Sequence, residues 1–337
     1  MRKSLTVGVA ALFASFALAG AARAAEDAAA IEKALKEAHA KFAGVTEGKN
    51  ADYIPALAKV PSKLFGIALV TTDGKVYSVG DAESLFSIQS ISKVFTMARV
   101  VQDEGEKKIE DSVGVDATGQ VFNSIVAVEQ YKGHQMNPLV NPGAIATTGM
   151  VMGKTDAEKW SKILSTYNDF AGRSLEVNKE VYESEAATNQ RNQAIGALMS
   201  AYGLISDDSK MVTDVYTRQC SVNVSAKDLA QMAATLANGG KNPVTKKQVI
   251  DAKHIPGVLA VMATAGLYDD SGIWLYHVGL PAKSGVGGGI IAVAPGRFGI
   301  AAFSPPLDAA GNSVRAQRAI GYVTEQLGAN LFASKPN

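Results

Sequence analysis

Ser90-Ile91-Ser92-Lys93 sets a hydroxyl and an amine three residues apart. On a helix, residues at i and i+3 share a face, so Ser90 Oγ and the Lys93 amine can meet. Ile91, Val94, Phe95, Ala98 and Val101 recur at helical spacing, so the pair opens an apolar helix. Backbone N–H groups at a helix start favour negative charge at the same point. A nucleophile, a base and an anion-stabilising dipole within four residues are the parts of an acyl-transfer site. The same residues also describe a serine near a helix N-cap with a solvated lysine one turn on. The remainder of the chain has to decide between the two.

A second cluster, Lys283-Ser284-Gly285, falls in a strand-like run near the C-terminus. Ser-x-x-Lys on a helix with Lys-Ser-Gly on a late strand is similar to the pairing found in serine β-lactamases and penicillin-binding proteins. A strand edge beside the nucleophile offers the Val286 N–H, which with the Ser90 N–H makes a two-donor oxyanion hole. A lysine base must be neutral when it acts, so Lys93 must be desolvated or lie near another cation, for which Lys283 is the candidate. Gly285-x-Gly287 brushes a dinucleotide fingerprint but does not close a strand-to-helix turn and has no acid about 20 residues on. The single Cys220 has no histidine partner nearby and reads as a buried structural thiol. His39, His134, His254 and His277 are scattered, with no metal-ligand spacing, so no metal and no cofactor are expected.

The elements that must position these residues follow from periodicity. An amphipathic helix over 26–43 carries Ile31, Leu35, Ala38 and Phe42 on one stripe. Strand-like runs 65–72 and 75–79 flank Asp73-Gly74, a strong hairpin signal, and feed directly into the Ser-x-x-Lys helix. Residues 107–125 read as a charged loop. Asn137 to Ile145 is a shaped polar turn leading into an apolar helix. Helices are expected over 156–171, 185–202 and 225–238, the last with Ser225 as N-cap, Asp228 at N3 and Gly239-Gly240 as its stop. Strands return at 273–278, 290–294 and 298–303, and a last helix spans about 313–327. The pattern predicts an α+β fold, one mainly antiparallel sheet flanked by helices and split by an inserted all-helical subdomain. The sheet part would take roughly 25–105 and 265–337, and the helical part roughly 106–264.

Met1-Arg2-Lys3, the apolar run from Leu5 to Gly20 and Ala22-Arg23-Ala24 read as a signal peptide cleaved after Ala24. The run is short for a bilayer-spanning helix, so a periplasmic or secreted protein without a membrane anchor is expected. Losing Arg2, Lys3 and Arg23 from 33 basic residues against 32 acidic turns a net charge of +1 into −2. That balance points to neither nucleic acid nor a membrane surface.

Several blocks in order make the likeness sharper: Ser87-Ile88-Gln89-Ser90-Ile91-Ser92-Lys93-Val94-Phe95, Asn137 to Ile145, Gln219 to Val224, Met232 to Gly240 and Leu280 to Ile290. Together they resemble the serine-dependent glutaminases, from about Tyr53 to the last helix. That resemblance implies the β-lactamase/transpeptidase fold and hydrolysis of L-glutamine to L-glutamate and ammonia. It implies Ser90 as nucleophile, Lys93 as its activator, Ser90 and Val286 N–H groups as oxyanion donors, and Tyr268 as proton relay or serine orienter. It implies Tyr53, Asn141, Glu185, Asn192 and Tyr216 around the amino-acid end of glutamine, and a homo-oligomer, dimer or tetramer. Glu185 and Asn192 are seven apart, two turns on one helical face, so both can point into one pocket, and a carboxylate there suits an α-ammonium. From the residues alone, the better readings are core aromatics for Tyr53 and Tyr216 and a solvated helix-start acid for Glu185. Pro142 and the leader depart from the family pattern. A β-lactamase-like or peptidoglycan-directed acyl enzyme is the alternative, and an inactive binding protein of the same fold is a third. Retention of Ser90, Lys93 and Lys283-Ser284-Gly285 together argues against the last.

Overall fold

The computed structural model describes residues 27–334, so the expected leader lies outside the described residues. Strands β1 (Gly66–Thr71), β2 (Val76–Gly80), β5 (Ala282–Gly285), β6 (Gly289–Ala294) and β7 (Phe298–Phe303) form one sheet, and β3 (Phe86–Ser87) and β4 (Asn223–Val224) form a small second one. The large sheet runs β2-β1-β7-β6-β5, every neighbouring pair antiparallel. Asp73-Gly74 closes the first hairpin, with Gly74 at φ +96° where only glycine is comfortable.

Strands β1, β6 and β7 are buried on both faces, and alternate residues serve different cores. Ile67, Leu69, Ile290, Ala292, Ile300 and Ala302 pack with helices Ala28–Phe42 and Val314–Gln326. Ala68, Val70, Ile291, Val293, Ala301 and Phe303 face the larger core, which takes in the helices between β3 and β5. The period-2 alternation of a strand thus divides one apolar run between two layers of helix.

At the centre of the second layer lies helix Ala226–Ala237, buried along nearly its whole circumference. Its start is held by the expected capping box: Ser225 Oγ accepts from the Asp228 N–H, and Asp228 Oδ2 accepts from the Ser225 N–H at 2.7 Å. Arg173 then clamps Asp228 with two hydrogen bonds of 2.6 Å. Gly299 of β7 lets this helix approach the sheet; a Cβ there would sit 2.1 Å from Ala234 N and 2.4 Å from Ala233 C.

Three local expectations are corrected. Residues 273–278 form helix Ser271–Val278 instead of a strand. Trp274 and Val278, four apart, are buried while Ile273 and Tyr276 are exposed, and Gly279 in the left-handed region stops the helix. Helical amphipathicity overrides the β preference of that aromatic run. The charged stretch 107–125 contains most of helix Glu106–Ser112, anchored by buried Ile109, and ends where Ser124 caps helix Ile125–Tyr131. The single helix expected over 185–202 is two, Lys179–Thr188 and Gln190–Ala201, broken at Asn189 (φ −92°, ψ 21°).

Gly299→Ala should destabilise the protein by about 3 kcal/mol, because backbone and not a movable side chain blocks the new methyl. The urea midpoint measures this. An unchanged midpoint would mean the helix is free to lift from the sheet.

Candidate active site

Ser90 lies in a tight 3-10 turn, Gln89–Ile91, immediately ahead of helix Ser92–Glu104, instead of in the first turn of that helix. Gln89 takes φ +48°, a left-handed conformation that costs a non-glycine residue on the order of 1 kcal/mol or more. Strand β5 presses on this turn: a Cβ on Gly285 would stand 2.8 Å from Ile88 O and 3.3 Å from Ser90 N. The Lys283-Ser284-Gly285 strand and the Ser90 turn are therefore in contact, as the sequence required of them.

Lys93 is 1 % exposed. Its Nζ donates to Asn141 Oδ1 at 2.6 Å and reaches Leu139 O at 3.5 Å. Asn141, the first residue of helix Asn141–Met150, also accepts from the Tyr216 hydroxyl at 3.2 Å and donates from Nδ2 to Asn192 Oδ1 at 3.0 Å. Burial pushes the Lys93 amine down to about 8, against a partial upward pull from Cys220 and Glu185. Lys283 is fully buried and burial, reinforced by the Lys93 charge, holds its pKa well below the ordinary lysine range. It donates to Gly266 O at 2.8 Å and Ser284 O at 2.7 Å, and its ammonium lies 4.1 Å from the centre of the Tyr268 ring.

Tyr268 adopts φ +55° and its hydroxyl is 3.5 Å from Ser284 O. Burial raises its pKa to about 12, with the hydroxyls of Ser90 and Ser284 pulling the other way. Phe122 packs against it, the rings tilted by 39° with 4.6 Å between their centres. Cys220 is buried 3.8 Å from Ser92 Oγ, and burial lifts its thiol to about 12, which leaves it a poor nucleophile. Among the described residues, no group of three or more His, Cys, Asp or Glu side chains is placed to hold a metal ion.

A cavity of about 120 Å³ opens over Ser90 and is lined by Tyr53, Asn141, Glu185, Asn192, Tyr216 and Val286. Lys93 and Tyr268 stand behind its wall and are not on it. Tyr53 is at the mouth, 56 % exposed, and not in the core. Tyr216 is buried with its hydroxyl engaged. Glu185 is buried, not solvated, and accepts from Gln89 Nε2 at 3.2 Å. Glu185 and Asn192 reach the same cavity from two different helices, so their convergence owes nothing to sharing a helical face. Burial raises the Glu185 carboxyl to about 7, while the Gln89 hydrogen bond and Lys93 lower it.

Gln89, Phe122 and Arg191 also line the cavity and were not singled out from sequence. The position of Gln89, immediately before Ser90, is the one signal in the sequence. Phe122 and Arg191, whose Nε donates to Asn123 O at 3.0 Å, come from segments with no pattern pointing at a site.

The raised Glu185 carboxyl makes stability depend on pH. Between its unfolded value near 4.5 and about 7 the folded chain holds the extra proton, so stability falls as pH rises through that window. Glu185→Gln keeps the acceptor for Gln89 and removes the buried charge. It should raise stability by about 1–3 kcal/mol at pH 8 and leave it nearly unchanged at pH 4. Thermal midpoints at the two pH values test this, and an equal effect at both would exclude a buried carboxylate as the cause.

The glutaminase family model matches residues 48–332. A glutaminase from Colwellia psychrerythraea (strain 34H) is 54 % identical over 302 residues, covering 90 % of this chain and 97 % of that protein. The solved structure of the probable glutaminase ybaS superposes with a TM-score of 0.90 at 47 % identity, covering 91 % of this chain and 100 % of the other. The Bacillus subtilis glutaminase YbgJ, solved as a covalent complex with 5-oxo-L-norleucine, gives a TM-score of 0.79 at 28 % identity, covering 90 % of this chain and 98 % of that one. These neighbours carry the β-lactamase-like fold that the Ser-x-x-Lys and Lys-Ser-Gly pairing implied. A family match across most of the chain, with half-identical relatives along nine-tenths of it, places this amidohydrolase in the glutaminase family.

Proposed function

We propose that the chain hydrolyses the side-chain amide of L-glutamine through an acyl-enzyme on Ser90. Ser90 Oγ attacks the amide carbon and its proton passes to Lys93 Nζ, the buried amine whose pKa burial lowers to about 8. The oxyanion is held by the N–H groups of Ser90 and Val286. The proton returns to the leaving nitrogen through Lys93 and the Tyr268 hydroxyl, the C–N bond breaks and ammonia departs. Water then attacks the ester by the same route, releasing L-glutamate and restoring Ser90. Glu185 takes the α-ammonium; the amide of Asn192 and the hydroxyls of Tyr216 and Tyr53 take the α-carboxylate; Asn141 ties Asn192 and Tyr216 to Lys93.

One observation carries this reading: Lys93, buried and pushed down to about 8, is bonded to Asn141 in the wall of a cavity that also holds a buried carboxylate, Glu185. The cavity over Ser90 is walled by Asn141, Glu185, Asn192 and Tyr216, polar groups suited to the two charged ends of a free amino acid. The covalent adduct of YbgJ, with a compound bearing the α-amino and α-carboxyl groups of an amino acid, supports the same chemistry here. We further propose export to the periplasm, supported by the leader-like residues 1–24, and assembly as a dimer or tetramer, supported by the family likeness.

Purified protein should release ammonia from L-glutamine, and Ser90→Ala should lose at least about 10³-fold in kcat/KM, as for loss of a covalent nucleophile. A chromogenic cephalosporin run in parallel should stay intact. Lactam turnover without ammonia release would favour the peptidoglycan-directed alternative.

The two shifted groups also set the direction of the pH profile. Glu185 must be ionised to hold an ammonium, above about 7, and Lys93 must be neutral to accept a proton, above about 8. Log kcat/KM should therefore climb with pH from 6 to 8.5. A profile that is flat or falls across that range would exclude neutral Lys93 as the base.

A further inference from the structure

One helical turn behind the cavity, four buried polar side chains meet that line no part of it: Thr96, Thr148, Tyr167 and Gln219. Gln219 Oε1 accepts from Thr96 Oγ1 at 2.9 Å and lies 3.3 Å from Thr148 Oγ1, whose hydroxyl also bonds Ala144 O at 2.9 Å. Thr96 Oγ1 is 2.6 Å from the Tyr167 hydroxyl, which donates to the Ser92 carbonyl at 2.9 Å. Such groups cost free energy in an apolar core unless bonded, and apolar residues of the same size would fill the space.

Their positions along the chain are what give them a meaning. Thr96 follows Lys93 by three residues on helix Ser92–Glu104, and Gln219 follows Tyr216 by three on helix Ser209–Cys220. Thr148 follows Asn141 by seven on helix Asn141–Met150. Those spacings return to the same helical face one or two turns on. The Lys93–Asn141–Tyr216 contact, at 2.6 and 3.2 Å, is therefore stacked on a second junction of the same three helices. Apolar packing is non-directional and tolerates small slips of a helix along its axis. Hydrogen bonds near 3 Å do not, because they weaken steeply with distance and angle.

We propose that Gln219 is a positioning residue whose amide locks the three helices in the register that brings Lys93 Nζ, Asn141 Oδ1 and the Tyr216 hydroxyl together. This rests on the acyl-enzyme reading of Lys93. Gln219 touches no substrate atom; it acts through the helices it joins.

Gln219→Met keeps the length and volume of the side chain and removes the acceptor. Its kcat/KM for L-glutamine, counted per serine titrated with 6-diazo-5-oxo-L-norleucine, should fall at least about tenfold. The loss should divide between kcat, through Lys93, and KM, through Asn141 and Tyr216. Counting per titrated serine removes any loss due to unfolded chains. The triple variant Thr96→Val, Thr148→Val, Gln219→Met replaces the three side chains that meet at Gln219 Oε1 with apolar groups and leaves Tyr167 bonded to the Ser92 carbonyl, so it should recover the thermal midpoint lost by the single variant. Its rate should stay low. A triple variant with wild-type kcat/KM, or a single variant with unchanged kcat and KM, would overturn the proposal. Lys93→Ala measured alongside separates the two levels: wild-type turnover there removes the acyl-enzyme reading itself. Loss of turnover in Lys93→Ala with none in Gln219→Met removes the positioning role alone.

Discussion

A 2.6 Å hydrogen bond between a fully buried ammonium and one amide oxygen, Lys93 to Asn141, is the interaction on which the rest of the site depends. An amine removed from water prefers to be neutral, and among the described residues no carboxylate bonds directly to Lys93 to oppose that preference. Asn141 supplies a dipole, which orients the amine without restoring its full charge. Had an aspartate stood there, a salt bridge would have held the lysine protonated and unable to accept a proton. Glu185 acts on Lys93 only through space, its own carboxylate being held by Gln89. The uncharged side chain at 141 is thus what leaves the proposed base, Lys93, free to lose its proton.

Conformational strain is placed at the same point. Gln89 and Tyr268, one beside the nucleophile and one facing it, are both non-glycine residues at positive φ. Each is held there by contacts that outweigh the local cost: Gln89 by its bond to Glu185, and Tyr268 by Phe122 on one side and the Lys283 ammonium on the other. Lys283 spends its donors on the carbonyls of Gly266 and Ser284, which fixes the loop bearing Tyr268 to strand β5. It serves as scaffold for the tyrosine. The sheet supplies the rigidity that makes such strain tolerable, since β5, β6 and β7 are buried and the turn with Ser90 rests against β5.

Much of this was readable from local pattern. The first hairpin, the capping box at Ser225, strands β6 and β7, and the final helix all follow from short-range signals: Asp-Gly, Ser-x-x-Asp, Pro-Gly and apolar period. Where the reading failed, a longer-range force had won. The aromatic run 273–278 has β character, yet Trp274 and Val278 gain more by packing as one helical stripe beside helix Val314–Gln326. The break at Asn189 separates two helices that share no periodic defect strong enough to announce it. Glu185 and Asn192 still converge, but for a reason the sequence did not contain: helices Lys179–Thr188 and Gln190–Ala201 meet at an angle over the cavity.

By itself the sequence determined the chemistry, because a nucleophile and base three residues apart and a Lys-Ser-Gly strand are local facts, and because ordered blocks of residues mark a family. It determined the two-faced sheet, since alternation along a strand is also local. Only the tertiary structure decided which lysine is the buried partner of Asn141, that Tyr53 stands at the mouth while Tyr216 lies in the wall, and that Gln89 holds Glu185. Those outcomes depend on burial and on contacts between residues 96 and more positions apart or on separate helices. Desolvation, which moves Lys93 down and Glu185 up, is a property of the surroundings and not of the residue.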